Sequence, residues 1–262
     1  MEHPFSFDIG IDLRATDAPL GFVYGEDAFG PAVERRRLDD IRKNLMDPDC
    51  KGPETVYAIA MDVGMKRDLT AIRERDLLFG AVTYARGRLG REPIRSQGHI
   101  HAVSPSCNSS TCELYEIWEG KAIIYMQETA KDDPGRCFAV VAEPGDVVLV
   151  PPGWAHSTIV ADVDRQMSFG AWCVRDYGFD YADVRAHGGL AWFPIAEGNG
   201  IRFEPNGRYD STKLEIKRPR IYTEFGLEAG KSIYRQFTED PDRFLFVSKP
   251  QTANALWENF VP

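Results

Sequence analysis

Between Val56 and Val174 the chain breaks into seven short apolar runs: Val56–Met61, Leu77–Arg86, Ala122–Gln127, Cys137–Ala142, Asp146–Val150, His156–Val160 and Met167–Val174. Glycine, proline and aspartate punctuate them. Runs this short are strand-sized, and at this density they predict a mainly β protein, a sandwich or barrel. Before residue 55 the sequence is turn-rich and charged, and one helix is expected from Pro31 to Met46. There Val33, Leu38, Ile41 and Leu45 recur at near-helical spacing, and the basic run forms a solvated face. Beyond Asn199, strands are expected at Lys213–Ile216 and Phe244–Ser248, with turns at Glu204–Gly207 and Thr238–Asp242. The expected division is an N-terminal extension over 1–55, a β core over 56–195 and a C-terminal appendage over 196–262.

A net charge of −9 argues against nucleic acid or an anionic membrane as partner. No segment approaches the ~20 apolar residues of a membrane helix. The five cysteines are odd in number and lack CxxC spacing, and the chain opens without an apolar leader. The expectation is a cytoplasmic protein with reduced thiols.

The chemistry concentrates in two stretches, Gly98-His99-Ile100-His101 and Gly145 to His156, which hold three of the five histidines. In a strand, side chains at i and i+2 leave the same face, so His99 and His101 can present two imidazoles to one ion. His156 adds a third. Glu113 or Glu116 can supply a carboxylate, but they lie on opposite faces of one strand, and alternation alone does not say which face is interior. Imidazole and carboxylate together suit divalent Fe, Mn or Zn.

These stretches resemble the cupin superfamily. Its first motif, G-x5-H-x-H-x3,4-E-x6-G, is met through His99, His101, Glu113 and Gly120, with eleven residues between His101 and Glu113. Its second, G-x5-P-x-G-x2-H-x3-N, is met at Gly145, Pro151, Gly153 and His156, with Val160 replacing the final Asn. The enlarged gap, Ala102–Cys112, reads as a loop beside the mouth of a cupin barrel; its Cys107 and Cys112 are not expected to be ligands.

Within that superfamily, Leu77 to Tyr181 is most similar to the cupin-type glucose-6-phosphate isomerases. Ser96-Gln-Gly-His-Ile-His101, Glu113-Leu-Tyr115, Gly120-Lys121, Val150-Pro-Pro-Gly-Trp-Ala-His156 and Tyr177-Gly-Phe-Asp-Tyr181 carry the likeness. The resemblance selects Glu113 over Glu116 and implies one divalent metal ion per chain on His99, His101, Glu113 and His156. It also implies a substrate phosphate near Thr83, Ser96 and Gly98, and Tyr115 and Tyr181 beside the sugar. Two departures stand out: Phe179 replaces a family histidine, and Gly153 replaces an aromatic.

Four protein ligands on a six-coordinate ion leave two adjacent positions for a hydroxy-carbonyl. Glu113 is then the first candidate for proton carrier in an enediol route and Tyr115 the second, with a hydride shift past a spectator Glu113 as the alternative. The expected function is isomerisation of a sugar phosphate by a homodimer. An Fe(II) dioxygenase and a non-catalytic sugar-phosphate sensor are the alternatives. Arg86, Arg88, Arg91 and Arg95 are expected to form a solvated basic face, and Trp154, Trp172 and Trp192 to pack in the core or at its rim.

Overall fold

The computed structural model describes residues 2–262. Ten strands build its centre: β1 (Glu34–Arg37), β2 (Thr55–Met61), β3 (Leu77–Tyr84), β4 (Glu113–Glu119), β5 (Ala122–Gln127), β6 (Cys137–Ala142), β7 (Val147–Val150), β8 (Ala155–Val160), β9 (Met167–Val174) and β10 (Leu214–Lys217). Six of them form one sheet in the order β7-β4-β9-β3-β2-β1, and four form another, β8-β5-β6-β10. Neighbours are antiparallel except β6 and β10. Among the described residues no ladder joins the two sheets, so the expected barrel is a double sheet rather than a closed ring.

The sequence expected a core bounded at residues 56 and 195. The sheets extend past both limits, since β1 edges one and β10 edges the other.

Between the sheets pack Tyr115, Ile117, Ile124, Met126, Phe138, Val140, Val148 and Phe169. The outer face of the larger sheet is equally dry. There Phe79, Leu114, Trp118 and Trp172 meet Ile9, Ile11 and Leu13 from the N-terminal segment and Tyr234, Phe237 and Phe244 from the C-terminal one. Ile123, Tyr125 and Ile159 on the outer face of the smaller sheet are covered by Val184, Leu190 and Tyr209. Strands β3, β5 and β9 are therefore buried along their whole length, on both faces, which suits their near-continuous apolar runs. Trp172 is fully buried and stacks on Tyr234, while Trp154 is buried beside Phe138 and Trp192 is half-buried, all in packing roles.

Three local expectations are corrected. Only Leu38–Ile41 of the expected Pro31–Met46 helix is α-helical, followed by a 3-10 turn at Arg42–Asn44, because Glu34–Arg37 adds to the free edge of β2. Phe244–Ser248 is helical, not extended: Pro241 and Pro250 stand at the starts of successive 3-10 turns, and a short apolar run carries no decisive period. Arg95 leaves the basic face and is only 3% exposed. Its Nε donates to Glu92 Oε1 at 2.7 Å, Nη2 to the Asn44 carbonyl at 2.6 Å and Nη1 to the Ser96 carbonyl at 3.0 Å.

Candidate metal centre

Three backbone pairings bring the metal-type side chains together. His99 and His156 form an isolated antiparallel bridge, with His99 N donating to the His156 carbonyl at 3.0 Å and His156 N to the His99 carbonyl at 2.9 Å. The short strand Ile100–His101 pairs with Phe179–Asp180. Glu113 opens β4 opposite Val150 of β7, just before the Pro151 turn that leads to His156. As a result, one ligand atom from each of His99, His101, Glu113 and His156 lies within 4.8 Å of all the others.

The imidazoles are oriented from behind. His101 Nδ1 lies 3.0 Å from the Thr111 carbonyl and His156 Nδ1 3.0 Å from the Trp154 carbonyl. A carbonyl only accepts, so these contacts assign the proton to Nδ1 in both rings and leave the Nε2 lone pairs facing the cluster. Both Nε2 atoms point at the same oxygen, Glu113 Oε2, at 3.2 and 3.1 Å. Lone pairs converging on a carboxylate oxygen repel unless a cation sits among them. His99 Nε2 is buried with no hydrogen-bond partner, as a ligand atom would be. The donor set therefore fits a divalent ion of the imidazole-carboxylate class.

Electrostatics agree with that reading. Burial pushes the His99 imidazole well below its ordinary range, and the neighbouring His156 and His101 push it further. Burial works against ionisation of Glu113, yet positive charge at the His101 and His156 Nε2 positions holds the carboxyl well below its usual value, and with both protons on Nδ1 that charge is the place of a metal cation. Tyr115 O–H donates to Glu113 Oε2 at 2.6 Å, and its own proton is held far more tightly than usual by burial and by the adjacent carboxylate. Cys173, on β9, sets its Sγ 3.5 Å from Glu113 Oε1. The sequence reading missed Cys173; only the pairing of β9 beside β4 reveals it.

The cavity in front of this cluster is lined by Ser96, Gln97, Tyr115, Thr158 and Tyr181, and also by Arg36, Tyr57 and Tyr84. Ser96 Oγ accepts from Thr158 N at 3.1 Å, which fixes the hydroxyl at the wall. Gly98 adopts φ +86, and a Cβ there would press on Leu190, so the tight turn before His99 requires glycine. The ring of Tyr181 lies 6.0 Å from that of His99, and Arg185 stacks on it at 4.7 Å.

Thr83, expected near the substrate phosphate, is a correction. It is fully buried on the face of β3 opposite the cavity wall formed by Val82 and Tyr84, and its Oγ1 accepts from Ser168 Oγ and Gln166 Nε2. Phe179 packs edge-on against His99 at 4.4 Å, a place where it offers no polar contact.

The Ala102–Cys112 loop lies across both motifs and braces them. Ser110 Oγ donates to the His101 carbonyl at 2.7 Å and accepts from Gly153 N at 2.9 Å, while Asp176 accepts from Ser104 Oγ and Ser106 N. Neither cysteine of the loop joins the cluster: Cys112 Sγ faces the Phe246 carbonyl and Cys107 Sγ faces that of Ser109.

A double β-sheet whose two motifs deliver three imidazoles and a carboxylate to its inner face defines a cupin-type protein. Residues 42–209 match the model of the family described as Glucose-6-phosphate isomerase (GPI). A glucose-6-phosphate isomerase of Thermococcus gammatolerans is 28% identical over 219 residues, spanning 80% of this chain and 99% of the relative. That of Pyrococcus horikoshii is 31% identical over 183 residues, spanning 66% and 86%. The chain belongs to the glucose-6-phosphate isomerase family. Among solved structures, a vicilin from Corylus avellana is 11% identical with a TM-score of 0.36, covering 50% of this chain and 33% of that one, a likeness too slight to add anything.

Proposed function

We propose that the chain isomerises glucose 6-phosphate and fructose 6-phosphate with one divalent ion, Fe, Mn or Zn, held by His99, His101, Glu113 and His156. The observation that carries this is the buried four-ligand cluster inside a chain of that family. When bound, the ion supplies Lewis-acid polarisation of the sugar carbonyl. The protein's own groups do the rest. Glu113 carries the proton between neighbouring sugar carbons, and Tyr115, 2.6 Å from Glu113 Oε2, is second in line for that role. Ser96 borders the phosphate end and Tyr181 the sugar, Gly98 makes the turn that sets Ser96 beside His99, and Phe179 and Tyr115 help to keep water from the reacting carbons.

We further propose a cytoplasmic homodimer. All five cysteines are free, which suits a reducing compartment. The edge strand β10, with Ile216 59% exposed, offers an unpaired ladder for a second copy. No helix among the described residues is long and apolar enough to cross a membrane.

Purified protein stripped with chelator and reloaded with Mn, Fe(II) or Zn should interconvert the two hexose phosphates without consuming oxygen. Absence of turnover with every metal would end the isomerase reading, and oxygen uptake would replace it with a dioxygenase. Sedimentation of the same sample tests the dimer.

A further inference from the structure

We propose that Arg36 is the cationic anchor for the phosphate of the sugar substrate, with Glu34 as the counterion it exchanges. This rests on the isomerase reading and adds a residue that neither the motifs nor the family resemblance singled out.

A phosphate dianion entering a part-buried cavity needs charged donors to replace its water. The chain as a whole carries −9, and the cavity itself contributes the carboxylates of Glu34 and Glu113. Among the described residues lining it, Arg36 is the one lysine or arginine. Register explains how it gets there: Arg36 of β1 pairs with Tyr57 of β2, which pairs with Tyr84 of β3, so the three form a row across the sheet. Within that row the Tyr57 and Tyr84 rings stack at 4.9 Å.

Arg36 is only partly engaged. Nη2 meets Glu34 Oε1 at 2.8 Å, while Nε is buried and has no acceptor. The Glu34 side chain is 63% exposed and that of Arg36 27%. An ion pair with so exposed a carboxylate contributes little and is readily exchanged. A phosphate can instead take the guanidinium edge with two parallel N–H donors, a geometry that lysine does not offer. Arg185, the nearby alternative, is held over the Tyr181 ring and bonded to Gln97 Oε1 at 3.3 Å.

The test uses the metal-loaded full chain, inorganic phosphate as calorimetric probe, and glucose 6-phosphate as substrate. Arg36→Met keeps the apolar stem and removes the charge; it should weaken phosphate binding and raise KM by about tenfold or more, the effect falling on KM rather than kcat. Glu34→Gln should move binding the other way and tighten phosphate. A purely structural role for the pair would weaken binding in both variants. Unchanged phosphate affinity in Arg36→Met, or weaker binding in Glu34→Gln, overturns the proposal. If no isomerisation occurs yet phosphate binding follows these opposite signs, the anchor stands and the isomerase reading falls. Turnover with a KM indifferent to Arg36 keeps the isomerase reading and removes the anchor.

Discussion

Replacing Glu116 with glutamine should change how stability responds to pH, and the structure sets the sign and size. Glu116 is 1% exposed, on the face of β4 opposite Glu113. Its Oε2 accepts from Trp118 Nε1 at 2.9 Å and its Oε1 from Ile233 N at 2.9 Å. Burial pushes its carboxyl up from 4.5 to about 8, although both hydrogen bonds pull the other way. A carboxyl raised on folding binds a proton that the unfolded chain has already lost. Its contribution is fully present below the unfolded value and fades as pH climbs through the folded one. The slope in that window is about 1.4 kcal/mol per pH unit, so the wild-type chain loses about 3 kcal/mol through this group between about pH 5 and about pH 7.5.

Glutamine cannot titrate. Its amide gives up one of the two acceptors, a cost of about 1 kcal/mol or somewhat more that is nearly constant with pH. Denaturant unfolding across the range, with chelator present so that metal binding does not enter, should show the variant less stable than wild type at the acid end and more stable above neutrality. Other titrating groups cancel in the difference between the two curves. Parallel curves would refute the reasoning, because they would mean that Glu116 is ionised in the folded protein near neutral pH.

His156→Ala should abolish retention of the ion, read as metal per chain after desalting, because one of four buried donors is gone. Tyr115→Phe removes the donor to Glu113 Oε2 and should lower kcat about tenfold or more with metal content unchanged; an unaltered kcat would leave Tyr115 as packing alone. Thr83→Val should leave KM for sugar phosphate alone and cost about 1–2 kcal/mol in unfolding, since Thr83 meets Ser168 and Gln166 away from the cavity. Gly170→Ala forces a Cβ onto the Trp118 ring and close to Phe79, and should destabilise by about 2–3 kcal/mol, visible as a fall in Tm of roughly 5 °C or more.

The sequence by itself determined the metal-type donors and the strands that carry them. His99 and His101 share a face because side chains two apart in extended backbone must, and the Pro151 to His156 turn is local geometry. It also predicted the mainly β class, since the apolar runs are strand-sized. Between Glu113 and Glu116 strand alternation was silent; the motif resemblance chose Glu113, and the tertiary structure brings that residue to the three histidines and shows why alternation could not choose. Alternation marks an interior only when one face is wet, and here N- and C-terminal segments cover the outer face, so both carboxylates are buried. The same burial hid the orientation of Thr83, one residue out of step with Tyr84 on the cavity wall. Arg36 shows the limit most clearly. In sequence it belongs to a basic run on an expected helix; pairing with the free edge of β2 makes it a strand residue facing the cavity, and that contact lies between segments no local pattern relates. Short-range stereochemistry wrote the donors into the chain, whereas which face became interior was decided by long-range packing.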